Sequence, residues 1–156
     1  LLVLKDSGIK GINDLNGKTV IVATAGTSEP TLNRLIQQDH LNVKIMHVDS
    51  HSAALLALES HRGAAYLSDN GAFYGMIKAS KHPENLAVVG PELSYQPEAF
   101  IIAKNNPTFA WIVGHTMSDM FKSGEAEKLV TKWFGPLGVG VSPKLRAAWE
   151  TYSFPE

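Results

Sequence analysis

The chain has 156 residues, 44% of them hydrophobic and 19% charged, which suits one ordinary globular domain or two small lobes sharing one chain. Fourteen basic against fifteen acidic side chains leave a net charge of −1, so there is no basic excess to draw it to nucleic acid or an anionic membrane surface. No cysteine is present, which excludes disulfides, thiolate catalysis and cysteine-ligated metals.

No run of about 18 apolar residues is long enough to span a bilayer. The first residues, Leu1–Lys5, already read as a strand. Neither an initiating Met nor a leader with a basic start and an apolar stretch precedes them, so the expectation is a processed or truncated end. Asp6-Ser7-Gly8 then makes a turn. Ile12–Lys18 suits one short helical turn stopped at Gly17. Thr19–Ala23 (TVIVA) is β-branched and uninterrupted, as a strand buried on both faces should be. After a small-residue loop, Pro30–Gln38 carries Leu32, Leu35 and Ile36 on one helical face.

Val43–Val48 is the next strand, Ser52–His61 a helix, Ala64–Leu67 a strand, Gly71–Ser80 a helix and Leu86–Val89 a strand. This alternation predicts an α/β lobe: a central, mostly parallel sheet flanked by helices. Pro91–Pro97 interrupts the rhythm and sets an organisational boundary near 92–99. Beyond it, Ala99–Lys104 (AFIIAK) reads as a strand. Two helices follow. Pro107–Lys122 should bury Phe109, Ile112, Val113 and Met120, and Glu125–Phe134 should bury Leu129, Val130, Trp133 and Phe134. Ser142-Pro143 can start a last helix.

Three places along this chain could carry chemistry. Ala23–Pro30 is a strand end, a loop and a helix start. Small side chains at Ala25 and Gly26 let a ligand approach, and free N–H groups at the helix start attract an anion. Thr27 and Ser28 either bond a ligand or cap the helix. Asp69 follows a strand and opens a helix, where it either pairs with an ammonium group or caps. His51 lies on the same predicted rim and can donate to a carboxylate, act as a base or simply face water. The six histidines lack metal-ligand spacing, and no GxSxG elbow is present, so no metal, cofactor or catalytic residue is assigned. Glu125 and Glu127 read as a solvated helix face.

Three segments, SGIKGINDLNGKTVIVATAGTSEPTL, LALESHRGAAYLSDN and SGEAEKLVTKWFGP, resemble the polar-amino-acid-binding proteins of bacterial ABC importers, most nearly the glutamate/aspartate type. The likeness runs over essentially the whole chain. It implies a two-lobed periplasmic-binding-protein-like fold that closes on its ligand. Residues 1–92 would be the second lobe. Residues 93–156 would be a hinge strand and the C-terminal helices of the first lobe, whose N-terminal part, with an arginine that clamps the ligand α-carboxylate, is absent here.

Carried over by the same likeness, Thr27 touches the ligand through hydroxyl and amide, Asp69 pairs with the α-ammonium, His51 sits near a side-chain carboxylate, and the Ala23 carbonyl lines the pocket. Ala25-Gly26-Thr27 departs from the family's G-[ST]-T loop, and Asn70 replaces a residue that is often acidic. The implied role is non-enzymatic. It is capture of a polar amino acid in the periplasm or another extracytoplasmic space and delivery to a membrane permease, without nucleic acid and without membrane insertion. Alternatives are a ligand-sensing domain of a membrane receptor and a cyclohexadienyl dehydratase-like enzyme. Apolar residues such as Phe109, Trp111 and Trp133 would favour self-association of the chain if left exposed.

Overall fold

The computed structural model describes residues 1–24, 26–94, 99–137 and 140–154. Ala25 in the expected ligand loop, residues 95–98 in the expected boundary and Gly138 lie outside these. The contacts divide the chain into two compact units, Leu1–Gln96 and Pro97–Glu156.

The first unit is built on five strands: β1 (Leu2–Leu4), β2 (Thr19–Ala23), β3 (Lys44–Val48), β4 (Ala65–Leu67) and β5 (Leu86–Val88). Their order across the sheet is β3-β2-β4-β1-β5. β2 pairs in parallel with β3 and β4, while β1 runs antiparallel to both β4 and β5. Four strands therefore share one direction, so the sheet is mostly parallel, as the alternation of strands and helices predicts. The reversed strand is β1, which reaches β2 through two short 3-10 turns and no crossover helix. Parallel neighbours need such a crossover. Here α1 (Ser28–Gln38) and α2 (His51–Glu59) supply it between β2, β3 and β4. Between β4 and β5 lies α3 (Asn70–Ala79).

Successive strand residues face opposite sides of a sheet, and both sides are covered here. Leu1, Val3, Val20, Val22, Ala65 and Leu67 pack with Leu32 of α1 on one side. Leu2, Ile21 and Tyr66 pack with Ala54, Leu58, Phe73 and Met76 of α2 and α3 on the other. Burial on both faces is why TVIVA needs no polar alternation. A side chain at Gly63 would collide with Ile21 Cγ1, so the chain can enter β4 this close to β2 only through glycine.

Boundaries differ from the sequence reading by small amounts with clear causes. α1 starts two residues before Pro30, because a proline in the first turn forfeits only an N–H that has no helical partner anyway. α2 stops at Glu59, short of His61, which sits at φ +55° while Arg62 N–H returns to the Ala57 carbonyl.

The second unit holds α4 (Pro107–Lys122), α5 (Glu125–Phe134) and α6 (Pro143–Tyr152). α4 packs on both of the others. Asn106 caps α4 through Phe109 N–H and Ser142 caps α6 through Leu145 N–H. Arg146 grips both carboxylate oxygens of Glu127 at 2.6 and 2.8 Å. Phe121 stacks on Trp149, and the His115 ring lies between Trp111 and Phe154.

Two expectations fail in this unit. Ala99–Lys104 is not a strand, and Phe100 and Ile101 are exposed. A strand exists only by pairing, and no described strand of this unit is available to pair with it. The helical stripes are also not buried: Phe109, Ile112, Leu129, Trp133 and Phe134 are exposed, and Val113, Met120 and Val130 only half-buried. Three helices without a sheet beneath them cannot cover their apolar faces. Among the described hydrophobic residues of this unit only Ala126 is buried.

Candidate functional site

The register fixes where the strands end. Ala23 lies opposite Val48, and Val22 opposite Leu67, so β3, β2 and β4 finish side by side on one edge. Adjacent strands are about 4.8 Å apart, which places all three exits within a ligand's reach of one another. The chain turns from each exit into a helix, so α1, α2 and α3 all begin on this rim. Each brings unsatisfied N–H groups and the positive end of its dipole.

At the first exit, Thr24 ties the rim together. Its N–H donates to the Val48 carbonyl at 2.9 Å, and its hydroxyl donates to Asp49 Oδ1 at 2.9 Å. Gly26 N–H returns to the Ala23 carbonyl at 3.2 Å, and a Cβ on Gly26 would stand 3.2 Å from that oxygen. A side chain there would crowd that carbonyl, which would have to give by a few tenths of an ångström. Thr27 stands at the N-cap position of α1 and is exposed, while Ser28, the first helical residue, is half-buried. Glu29 in the same turn meets His47 Nε2 of β3 at 2.9 Å.

At the second exit Ser50, not His51, caps α2, accepting Ala53 N–H at 3.1 Å. This frees His51, the first helical residue, to turn towards the sheet. Its Nδ1 lies 2.9 Å from the Tyr66 hydroxyl, with the two rings edge to face at 6.0 Å.

Asp69 forms the third exit. One oxygen, Oδ1, accepts Ala72 N–H at 2.7 Å and caps α3, and Ser68 Oγ lies 3.4 Å from Oδ2. The capping role weighed for this residue is therefore real. It occupies one oxygen of an exposed carboxylate, whose other oxygen meets the Ser68 hydroxyl.

The structure thus brings Ala23, Gly26, Thr27, Ser28, His51 and Asp69 onto one edge. It adds Thr24, Asp49 and Tyr66, which sequence reasoning did not single out. Tyr66 is fully buried in the middle of β4. Burial holds its phenol above the ordinary range; a hydrogen bond from Ser68 opposes this, and the nearby Asp69 charge adds to it. A tyrosine between Ala65 and Leu67 carries its own signal, since a buried phenol must find a partner for its hydroxyl.

The combination is chemically specific. Helix N-termini and hydroxyls favour an anion, the exposed carboxylate of Asp69 favours a cation, and the two lie on one edge. A zwitterion satisfies both. Among the described residues, no three His, Asp or Glu side chains converge as metal ligands. The first unit also has two hollows of about 340 and 350 Å³, lined by residues including Leu4, Asp6, His61, His82, Thr19 and Ala64. They lie at the opposite edge, where β2 and β4 begin. The open rim is the better candidate, because ligands of parallel sheets sit beyond the carboxyl ends of the strands.

A family model described as NMT1/THI5 like matches residues 1–67. The glutamate/aspartate import solute-binding protein of Salmonella typhimurium is 34% identical over 86% of this chain and 44% of its own length. An L-glutamate/L-aspartate-binding protein of Pseudomonas aeruginosa is 30% identical over the same shares. Among solved structures, a probable amino-acid ABC transporter extracellular-binding protein from Bacillus subtilis superposes with a TM-score of 0.76 at 25% identity, covering 86% of this chain and 58% of that one. An ancestral arginine-binding protein bound to glutamine gives a TM-score of 0.66 at 29% identity, with the same coverage. All four are described as binding proteins. The chain has the periplasmic-binding-protein fold of these amino-acid binders, and it spans about 44% of the length of the curated relatives it matches.

Proposed function

We propose that this chain, related over 86% of its length to solute-binding proteins of amino-acid ABC importers, is the ligand-gripping lobe, with the tail of the partner lobe, of an extracytoplasmic protein that captures a polar amino acid and hands it to a membrane permease. An acidic amino acid is the favoured ligand. The observation that carries this reading is the rim itself: three helix starts, the hydroxyls of Thr27 and Ser28, the imidazole of His51 and the carboxylate of Asp69 on one sheet edge.

In this reading Asp69 holds the α-ammonium, a charge-assisted contact. Thr27 and the start of α1 meet the α-carboxylate, and His51 meets the ligand's side chain. The first unit is the second lobe, and the helices of the second unit belong to the first. Ligand replaces water at the rim by paired charges, which favours a closed arrangement of lobes over an open one. No bond is made or broken. Among the described residues no helix is long and apolar enough to cross a membrane.

A thermal-shift screen of the protein against the twenty amino acids tests this. Ligand at a hundred times its dissociation constant stabilises the native state by about 2.7 kcal/mol. A clear upward shift with glutamate or aspartate is the expected result. No shift with any amino acid contradicts the reading.

A further inference from the structure

Tyr66 has no place in the proposed function as stated, yet it is the polar residue most deeply set behind the rim. Its ring is fully buried, held edge to face between His51 and Phe73 at 6.0 Å from each. Its hydroxyl emerges at one point, 2.9 Å from His51 Nδ1. A buried phenol has a proton of its own to place, and leaving that proton unpaired in the interior is costly. Its partner is His51 Nδ1. A neutral imidazole that accepts at Nδ1 must carry its proton on Nε2. Among the described residues nothing hydrogen-bonds Nε2, and the histidine is exposed at the rim.

We propose that Tyr66 is a positioning residue that holds His51 as the Nε2–H tautomer, so that the site presents a fixed hydrogen-bond donor to the ligand's side chain. The bond from Tyr66 O–H to His51 Nδ1 leaves the ring's own proton on Nε2, an outward donor. Such a donor suits a side-chain carboxylate and offers a lysine-like or arginine-like cation no acceptor. The inference rests on reading the rim as an amino-acid site, and it narrows the ligand class of that site. Burial of the phenol supports it, because the hydroxyl keeps its proton at every pH at which the site would work.

The test is long-range 1H–15N correlation of the histidine rings at alkaline pH, in the wild-type chain and in Tyr66→Phe. The wild-type His51 should show a single Nε2–H pattern with Nδ1 accepting. Tyr66→Phe keeps the ring contacts and should return His51 towards the tautomer mixture of free imidazole. Its affinity for glutamate should fall about 3- to 10-fold. A wild-type His51 carrying its proton on Nδ1, or identical ring spectra in the two proteins, overturns the inference, and the wild-type spectrum decides even if the variant misfolds. A fixed tautomer in a protein that binds no amino acid would leave the inference standing and sink the binding role. Tight glutamate binding with a mixed tautomer would do the reverse.

Discussion

Asp69→Asn folds as well as the wild type and loses amino-acid affinity by about 2–5 kcal/mol, the cost of removing one member of a desolvated charge pair. Asparagine caps helices about as well as aspartate, and its side-chain oxygen can still accept Ala72 N–H, as Oδ1 does at 2.7 Å. The substitution therefore separates the two roles that the geometry gives this residue. Asp69→Ala removes both, and should cost about 1 kcal/mol of stability in addition. Titration calorimetry with the tightest amino acid of the panel, beside urea unfolding of both variants, reads the two effects independently. Unchanged affinity in Asp69→Asn would reduce Asp69 to a helix cap.

Phe73→Ala destabilises the protein by about 3–5 kcal/mol, the usual cost of deleting a buried aromatic ring. Only 1% of Phe73 is exposed; it packs on Tyr66 and lies one turn beyond Asp69, whose carbonyl accepts its N–H at 3.4 Å. The ring thus clamps α3 to the sheet and with it the position of the Asp69 carboxylate. Against a total stability of about 5–15 kcal/mol, such a loss is large. Urea unfolding followed by circular dichroism should show a lower midpoint with an unchanged slope. A loss below about 1 kcal/mol would mean that α3 is not anchored through this ring.

Much of the first unit was legible because its strands and helices carry different periods. Thr19–Ala23 is a run of residues that only a two-sided burial tolerates, and the bounds of β2 follow it. The rim was legible for the same reason: where strand and helix alternate, the residues after each strand must gather on one edge, and Thr27, His51 and Asp69 do so. The Thr24–Asp49 bond was not foreseen, because it depends on which residues face each other across neighbouring strands, and the local cap by Ser50 was missed because the helix was read from Ser52. Tyr66 was passed over as a strand residue, although its hydroxyl alone among apolar neighbours called for a partner.

The second unit was read less well, and Ile101 shows why. AFIIAK has a strand's composition, but a strand's partner is not written in its own residues. The spacing of Phe109, Ile112, Trp133 and Phe134 correctly marked helices and wrongly marked them as buried. Periodicity says which face is apolar; it does not say that something covers it.

The measurement that tests the central claim most directly is a 1H–15N amide titration of the isotope-labelled protein with L-glutamate. Saturable shifts are expected at Gly26, Thr27, His51 and Asp69, the residues of the carboxyl-end rim. Shifts confined to Lys18, His61 and Arg62, at the opposite edge of the sheet, or none at all, would contradict that claim.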